Sequence, residues 1–386
     1  MTEPLKIAFY TDTYLPARDG VVTSILNTEQ QLVKKGNEVY TFAAGNAQTR
    51  KMVAGNKNIT VVRGMKFSKY PQYNLALLPM ASYHKQLEIN PDIVHAHTPF
   101  IMGTWALAFA KIEKIPVVST FHTMFTDRFV LQEYASKRAA VALEKYSWKY
   151  ASFFYNRCNA VIAPSNAIKN ILIKNGITSD IYVVPNGVDT RRFNSKTSGK
   201  QLRKMLLSGE KKKIVLYVGR MSKEKRLETL IRAAKLLKNE NIKFVFAGAG
   251  PALNYYEHMA ELQGIDAMFV GFVDDKLLPQ YYAAADAFCL PSTFETQGVV
   301  ILEAMASGKP VIGADALALS EIIKNGKNGE KFRPNDAKDC ASKIRKVINN
   351  TSSYKEMTKT ANEYSVVRTT DELLNIYRRV INDITV

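Results

Sequence analysis

Two carboxylates stand eight positions apart in the run FETQGVVILEA, Glu295 and Glu303, with a threonine, an amide, a glycine and apolar residues between them. An ordinary core strand has no use for acids at both ends of such a run. The pattern reads as a turn followed by a helix. Gly298 lets the backbone come close to a ligand, and the free N–H groups of Gly298, Val299 and Val300 at the helix start form an anion site. Glu295, just outside the helix, is placed to accept hydrogen bonds from sugar hydroxyls, and Glu303, inside it, to hold the two hydroxyls of a ribose. A second constellation lies upstream in KIVLYVGRMSKEKRLETLIRAA. There a strand runs into Gly219, and Arg220 and Lys225 flank the turn before the next helix. Two cations at such a turn can neutralise a diphosphate, Arg as a planar fork and Lys as a mobile point charge. The plainer alternatives are a solvated basic turn, a helix-dipole partner at Glu295 and a surface acid at Glu303.

Other motifs carry less. GAGPAL, at 248–253, half resembles a dinucleotide loop but lacks its third glycine, and reads as a strand-to-helix turn. His95 and His97 face the same side of a strand end, but no acidic or cysteine cluster accompanies them in sequence, so no metal ligand set is expected. Cys158, Cys289 and Cys340 are isolated and odd in number, which suits inert thiols in a reducing compartment.

Positioning these residues calls for a particular scaffold. LKIAFYTD, EVYTFAAG, NITVVRG, DIVHAH, PVVSTFH and AVIAPS read as strands buried on both faces, with helix-period segments between them. After IYVVPNGVD the pattern restarts with KIVLYVGR, IKFVFAGAG, AMFVGF, DAFCLPS and PVIGAD. Two such series predict an α/β protein of two doubly wound Rossmann-like domains, residues 1–190 and 191–365, with a linker near 185–213. Residues 366–386 hold an amphipathic helix expected to pack back on the first domain. Ligands of open parallel sheets bind beyond the carboxyl ends of the strands, so two such domains are expected to face a central cleft. The length of 386 residues suits this division. The net charge of +18 is spread over both halves, and no basic tail or RNP-type motif accompanies it, so nucleic acid is not an expected partner. No apolar run is long enough to span a bilayer and no secretory signal is evident, which points to the cytoplasm.

Several motifs in order give the chain a resemblance to the retaining GT-B glycosyltransferases of family 4. They are LPARDGVV, HAHTPF, STFHTMF, VVPNGVD, VGRMSKEKR and ETQGVVILEAMASGKPVIGAD. Glu295 and Glu303 match that family's E-x7-E pattern, and Arg220 and Lys225 its phosphate-binding pair. ETQG, HTPF and FHTMF look most like the diacylglycerol glucosyltransferases. The resemblance implies a nucleotide diphosphate sugar, usually UDP-linked, held mainly by the C-terminal domain, an acceptor at the N-terminal domain, no catalytic metal, and front-face attack with retention. It implies that His122 contacts the sugar, that Gly20 approaches the donor phosphate and that the backbone at Phe272–Val273 meets the base. Asp19 stands where the family often has a second glycine and becomes a candidate acceptor contact, with Thr123 and Asp127 beside it.

A lipid acceptor would need a membrane-facing surface. Residues 131–157 read as one long helix, with a core stripe of Ala135, Ala139, Leu143, Tyr146, Tyr150 and Phe154. The opposite face gathers Tyr134, Arg138, Val141, Lys145, Trp148 and Lys149. Rings mixed with cations suit a headgroup interface. The segment 65–85, rich in Tyr, Leu and Met, carries lysines and no acid, and is a second candidate for an anionic membrane surface. Peripheral attachment follows. A soluble acceptor such as a sugar phosphate or polysaccharide, a sugar-nucleotide epimerase, and a non-catalytic nucleotide-sugar-binding module stand as alternatives.

Overall fold

The computed structural model describes residues 3–17, 19–67, 70–131 and 136–385. The chain divides into two compact units, residues 1–187 with 366–386, and residues 188–365.

The first unit is built on an eight-stranded sheet: β1 (Lys6–Thr11), β2 (Glu38–Gly45), β3 (Ile59–Phe67), β4 (Tyr70–Ala76), β5 (Ile93–Ala96), β6 (Val117–Thr120), β7 (Ala160–Ala163) and β8 (Asp180–Val183). Their order is β4-β3-β2-β1-β5-β6-β7-β8, parallel except for β4 against β3. The second unit carries a six-stranded parallel sheet of β9 (Lys213–Val218), β10 (Ile242–Ala247), β11 (Ala267–Gly271), β12 (Ala287–Leu290), β13 (Val311–Ala314) and β14 (Gly329–Phe332), ordered β11-β10-β9-β12-β13-β14. Both sheets wind outward from their first strand and then reverse. The reversal falls between β1 and β5 in one unit and between β9 and β12 in the other, and such switch points leave a crevice at the carboxyl ends of the strands. Apolar runs such as IAFYT in β1 and IVLYV in β9 are buried throughout because helices cover both faces.

The helix Gly20–Lys34 starts at Asp19, whose side chain accepts from the Val22 amide at 2.9 Å. The last helix, Val366–Thr385, belongs to the first unit. Leu373, Leu374, Tyr377 and Val380 are buried there in one cluster with Val21, Ile25 and Leu32, each large apolar side chain contributing about 1.5–3 kcal/mol on full burial. The chain leaves this unit at Gly187 and returns at Val366. A side chain at Gly187 would come within 2.2 Å of the Val366 backbone, so that crossing admits only glycine.

Two readings of the first unit are corrected. The long helix spans Lys137–Tyr155 rather than 131–157, because the Ser136 side chain caps it at the Ala139 amide; a separate turn covers Arg128–Leu131. Its buried side is made by Ala140, Ala151, Phe154 and Tyr155, whereas Ala139, Leu143, Tyr146 and Tyr150 of the expected core stripe are exposed. The aromatic residues that gave the stripe its weight fall on both sides, so period alone could not phase it. In the segment 65–85, β3 runs antiparallel to β4 at the sheet edge with Met65 opposite Leu75 and both exposed, and short helical elements follow at Pro79–Ser82 and from Tyr83. Tyr134 and Ala135 lie outside the described residues.

Candidate functional site

In the second unit the two constellations expected from sequence meet. β9 and β12 are hydrogen-bonded neighbours, so the loops that follow them emerge side by side. After β9, Gly219 adopts φ 155°, and the chain passes Arg220 and a short turn at Lys223–Lys225 before the helix Leu227–Leu236. Tyr217 donates its hydroxyl to the Arg220 carbonyl at 3.0 Å, fixing the turn from below. After β12 the chain passes Glu295 and reaches Gly298, whose φ of 79° opens the helix Val299–Ala306. No side chain caps that helix, which leaves the Val299 and Val300 amides to a ligand or solvent. Lys225 Nζ lies 2.8 Å from Glu295 Oε1, and the carboxylate is buried. The pair brings together the two charges that a diphosphate and a sugar would need.

Glu303 sits inside the helix with its side chain buried, not on the helix surface. Tyr282 donates to its Oε2 at 2.7 Å. Burial pushes its carboxyl up to about 7, against the Tyr282 hydrogen bond and the nearby charge of Arg192. Arg192 is itself anchored, 2.5 Å from the Asp275 carbonyl and with its guanidinium over the Phe193 ring. Tyr282 and Arg192 carry no motif of their own, and sequence reasoning missed both.

The GAGP turn is more than a strand-to-helix connection. A Cβ on Gly248 would fall 1.9 Å from the Gly219 carbonyl oxygen, and one on Gly250 2.4 Å from that of Met221. Met221 N donates to Ala249 O at 3.0 Å. The two glycines therefore let the loop after β10 press against the Arg220 loop and hold it. Gly248 N donates to Gly271 O at 2.8 Å, which sets the exposed Phe272 and half-buried Val273 next to this turn.

The first unit's switch point is built differently. Asp12, after β1, is buried; it accepts from Thr98 Oγ1 at 2.6 Å and from the Met102 amide at 3.0 Å. Burial pushes it up to about 7 despite these bonds. It fastens the start of the helix Ile101–Glu113 to the sheet. His97 Nδ1 lies 3.1 Å from His122 Nε2, and the two rings stack at 5.4 Å. Burial holds both imidazoles below their ordinary range, neutral at pH 7. Gly20 opens its helix with open space where a Cβ would be. Asp19 is occupied at least in part as that helix's cap, which explains the acid at this position without an acceptor. Thr123 is exposed and Asp127 half-buried, both on the turn that follows His122.

On the helix Lys137–Tyr155, Trp148 turns inward and stacks on Phe121, ring planes 7° apart, so it is not part of an outward face. Arg138, Val141, Lys145 and Lys149 are exposed as expected. The outward rings are instead Tyr146 and Phe153, 65% and 55% exposed, with Lys149 over the first and Arg157 over the second. Among the described residues no helix is long and apolar enough to cross a membrane.

Known proteins match along nearly the whole chain. Residues 18–192 fit the family model described as Glycosyltransferase Family 4, and residues 199–364 fit that of Glycosyl transferases group 1. A GDP-mannose-dependent alpha-mannosyltransferase of Corynebacterium glutamicum is 30% identical over 92% of this chain and 83% of its own length. An alpha-monoglucosyldiacylglycerol synthase of Streptococcus pneumoniae is 30% identical over 83% of this chain and 74% of its own. Among solved structures, Anabaena HepE in complex with UDP-glucose overlays with a TM-score of 0.78 at 21% identity, covering 97% of this chain and 100% of that one. The two parallel-sheet units are those of the GT-B architecture.

Proposed function

The chain belongs to the glycosyltransferases of family 4 and group 1, and from that premise we propose that it moves a hexose from a nucleotide diphosphate sugar, UDP-glucose or a close relative, to a hydroxyl of a membrane glycerolipid such as a diacylglycerol. The observation that carries the donor half is the Lys225–Glu295 pair, which joins the turn that bears Arg220 to the segment leading into the uncapped Val299–Ala306 helix, beyond two adjacent strands. In this reading Arg220 and the amides hold the diphosphate, Glu303 accepts both ribose hydroxyls, Phe272–Val273 meet the base, and Gly20 comes near the phosphate. Lys225 and Glu295 hold each other until the donor arrives, after which Lys225 takes phosphate and Glu295 sugar hydroxyls.

As the anomeric C–O bond breaks, its electron pair passes to the diphosphate, where cations and helix amides gain most from the growing charge. The acceptor oxygen bonds to the anomeric carbon on the face the phosphate leaves, and its proton passes to the departing phosphate oxygen. The configuration is retained. His122, neutral, hydrogen-bonds a sugar hydroxyl rather than acting as an acid. Cations and amides take the part a metal would otherwise play, so excess EDTA is expected to leave turnover unchanged.

The acceptor half rests on two supports: the lipid product named by the pneumococcal relative, and the exposed rings and cations of Arg138, Lys145, Tyr146, Lys149, Phe153 and Arg157, with Val141 exposed among them, which suit an anionic headgroup layer. Peripheral attachment on the cytoplasmic side completes this reading, with Thr123 and Asp127 as acceptor contacts. A soluble acceptor is the second reading, favoured by the inward turn of Trp148, and a GDP-linked donor is suggested by the mannosyltransferase relative. A screen of UDP- and GDP-sugars against diacylglycerol vesicles and soluble sugar phosphates, with products identified by mass spectrometry and their anomeric configuration by NMR, decides. A glycolipid of retained configuration is expected; transfer only to a soluble sugar sinks the lipid half.

A further inference from the structure

Three imidazoles lie in a row in the first unit, and the row continues into the chain's last helix. His95, on β5, is fully enclosed. Its Nδ1 shares a hydrogen bond with the hydroxyl of Tyr377, and its Nε2 lies 2.7 Å from Thr120 Oγ1. The His97 ring stacks on it at 4.1 Å with planes 22° apart. Phe9 sets its edge against both rings, at 5.4 Å and 4.4 Å. His97 in turn reaches His122 through the 3.1 Å contact between Nδ1 and Nε2. Tyr377 is itself buried and stands 282 positions from His95 in the chain.

A neutral imidazole has one N–H and one lone pair, and a buried ring cannot exchange them through water. Its partners decide which nitrogen carries the proton. Of the two hydroxyls on His95, the phenol is the stronger acid and the better donor. It donates into Nδ1, which leaves the proton on Nε2, facing the Thr120 oxygen. His97 cannot tilt without opening the stack on His95 or striking the Phe9 edge, so the orientation of His95 sets the plane in which His97 meets His122.

We propose that Tyr377 is a positioning residue for His122, fixing the tautomer and plane of His95 and, through the stacked His97, the aim of the imidazole that contacts the sugar. This rests on the reading of His122 given above. It also gives the returning C-terminal helix a part in the chemistry beyond closing the core.

The test uses the full chain labelled with 15N-histidine, in which five histidines report. Tyr377→Phe removes only the hydroxyl. The expected results are a fall in kcat of about 2- to 10-fold, a donor KM changed by no more than about twofold, and displaced two-bond 1H–15N correlations of both His95 and His122. Thr120→Val, which removes the other partner of His95, is expected to displace the same correlations and serves if the first variant folds poorly. Correlations that move at His95 while His122 stays in place in the folded variants overturn the proposal, as does an unchanged kcat in a variant whose His122 signals have moved. His122→Ala tests the underlying reading separately: unchanged turnover there removes the sugar contact, while the correlations still report whether the row is coupled.

Discussion

The two switch points of this molecule solve opposite electrostatic problems. In the second unit the carboxyl ends of β9 and β12 gather formal charge, with Lys225 paired to Glu295 and open helix amides nearby. In the first unit the ends of β1, β5 and β6 gather three histidines that burial keeps neutral, beside Asp12, whose carboxyl burial raises to about 7. A group that must meet a diphosphate has to carry charge before the ligand arrives. One that orients a sugar hydroxyl does better as a neutral hydrogen-bond partner, because a buried charge without a counter-ion is costly. The same crevice geometry therefore carries two electrostatic environments, divided by which side chains the loops deliver.

Five substitutions break or sharpen this contrast. Arg220→Ala attacks the charged end, and kcat measured with saturating donor should fall by about 10²–10³; a change confined to KM would show that the guanidinium serves only ground-state binding. Glu303→Gln probes the one acid of that end whose charge is marginal. With its carboxyl raised to about 7, wild-type affinity for the sugar nucleotide, read by calorimetry, should rise between pH 6 and pH 8 as the group ionises. The variant should be flat over that range and weaker at pH 8 by about 10- to 100-fold, and a parallel slope in both proteins would assign the titration elsewhere. His122→Ala attacks the neutral end; steady-state kinetics should show kcat lower by roughly 10- to 100-fold, with donor KM little changed. Last, Tyr146→Ser and Phe153→Ser test the outward helix face. Pelleting with anionic vesicles should weaken by about fivefold for each ring if half of its burial energy is realised at the interface, while turnover on a detergent-dispersed acceptor stays the same.

Much of the candidate donor site was legible because its parts are local. The turn at Gly219, the cations around it and the acids on either side of the Gly298 helix start all lie within short stretches whose strand–turn–helix rhythm announces itself. Tyr282 was not legible, since it reaches Glu303 from a helix 21 positions earlier through an otherwise plain run of tyrosine and alanine. The GAGP glycines were visible but their use was not. Their need for bare backbone comes from the Arg220 loop lying against them, and nothing in either segment says that the two meet. The helix Lys137–Tyr155 misled for a different reason. With rings on every side, its composition fits more than one phase, and packing of Trp148 on Phe121 chose among them.

By itself the sequence determined the class of chemistry and the scaffold. Strand–helix alternation and ligand-facing turns are set by interactions between residues close in the chain, and those can be read in order. Only the tertiary structure decided which charges pair, which acids are buried enough to titrate near neutrality, and that a tyrosine from the last helix closes a row of histidines begun at residue 95. Each of these depends on desolvation and contact between segments far apart in the chain, quantities that no local pattern encodes.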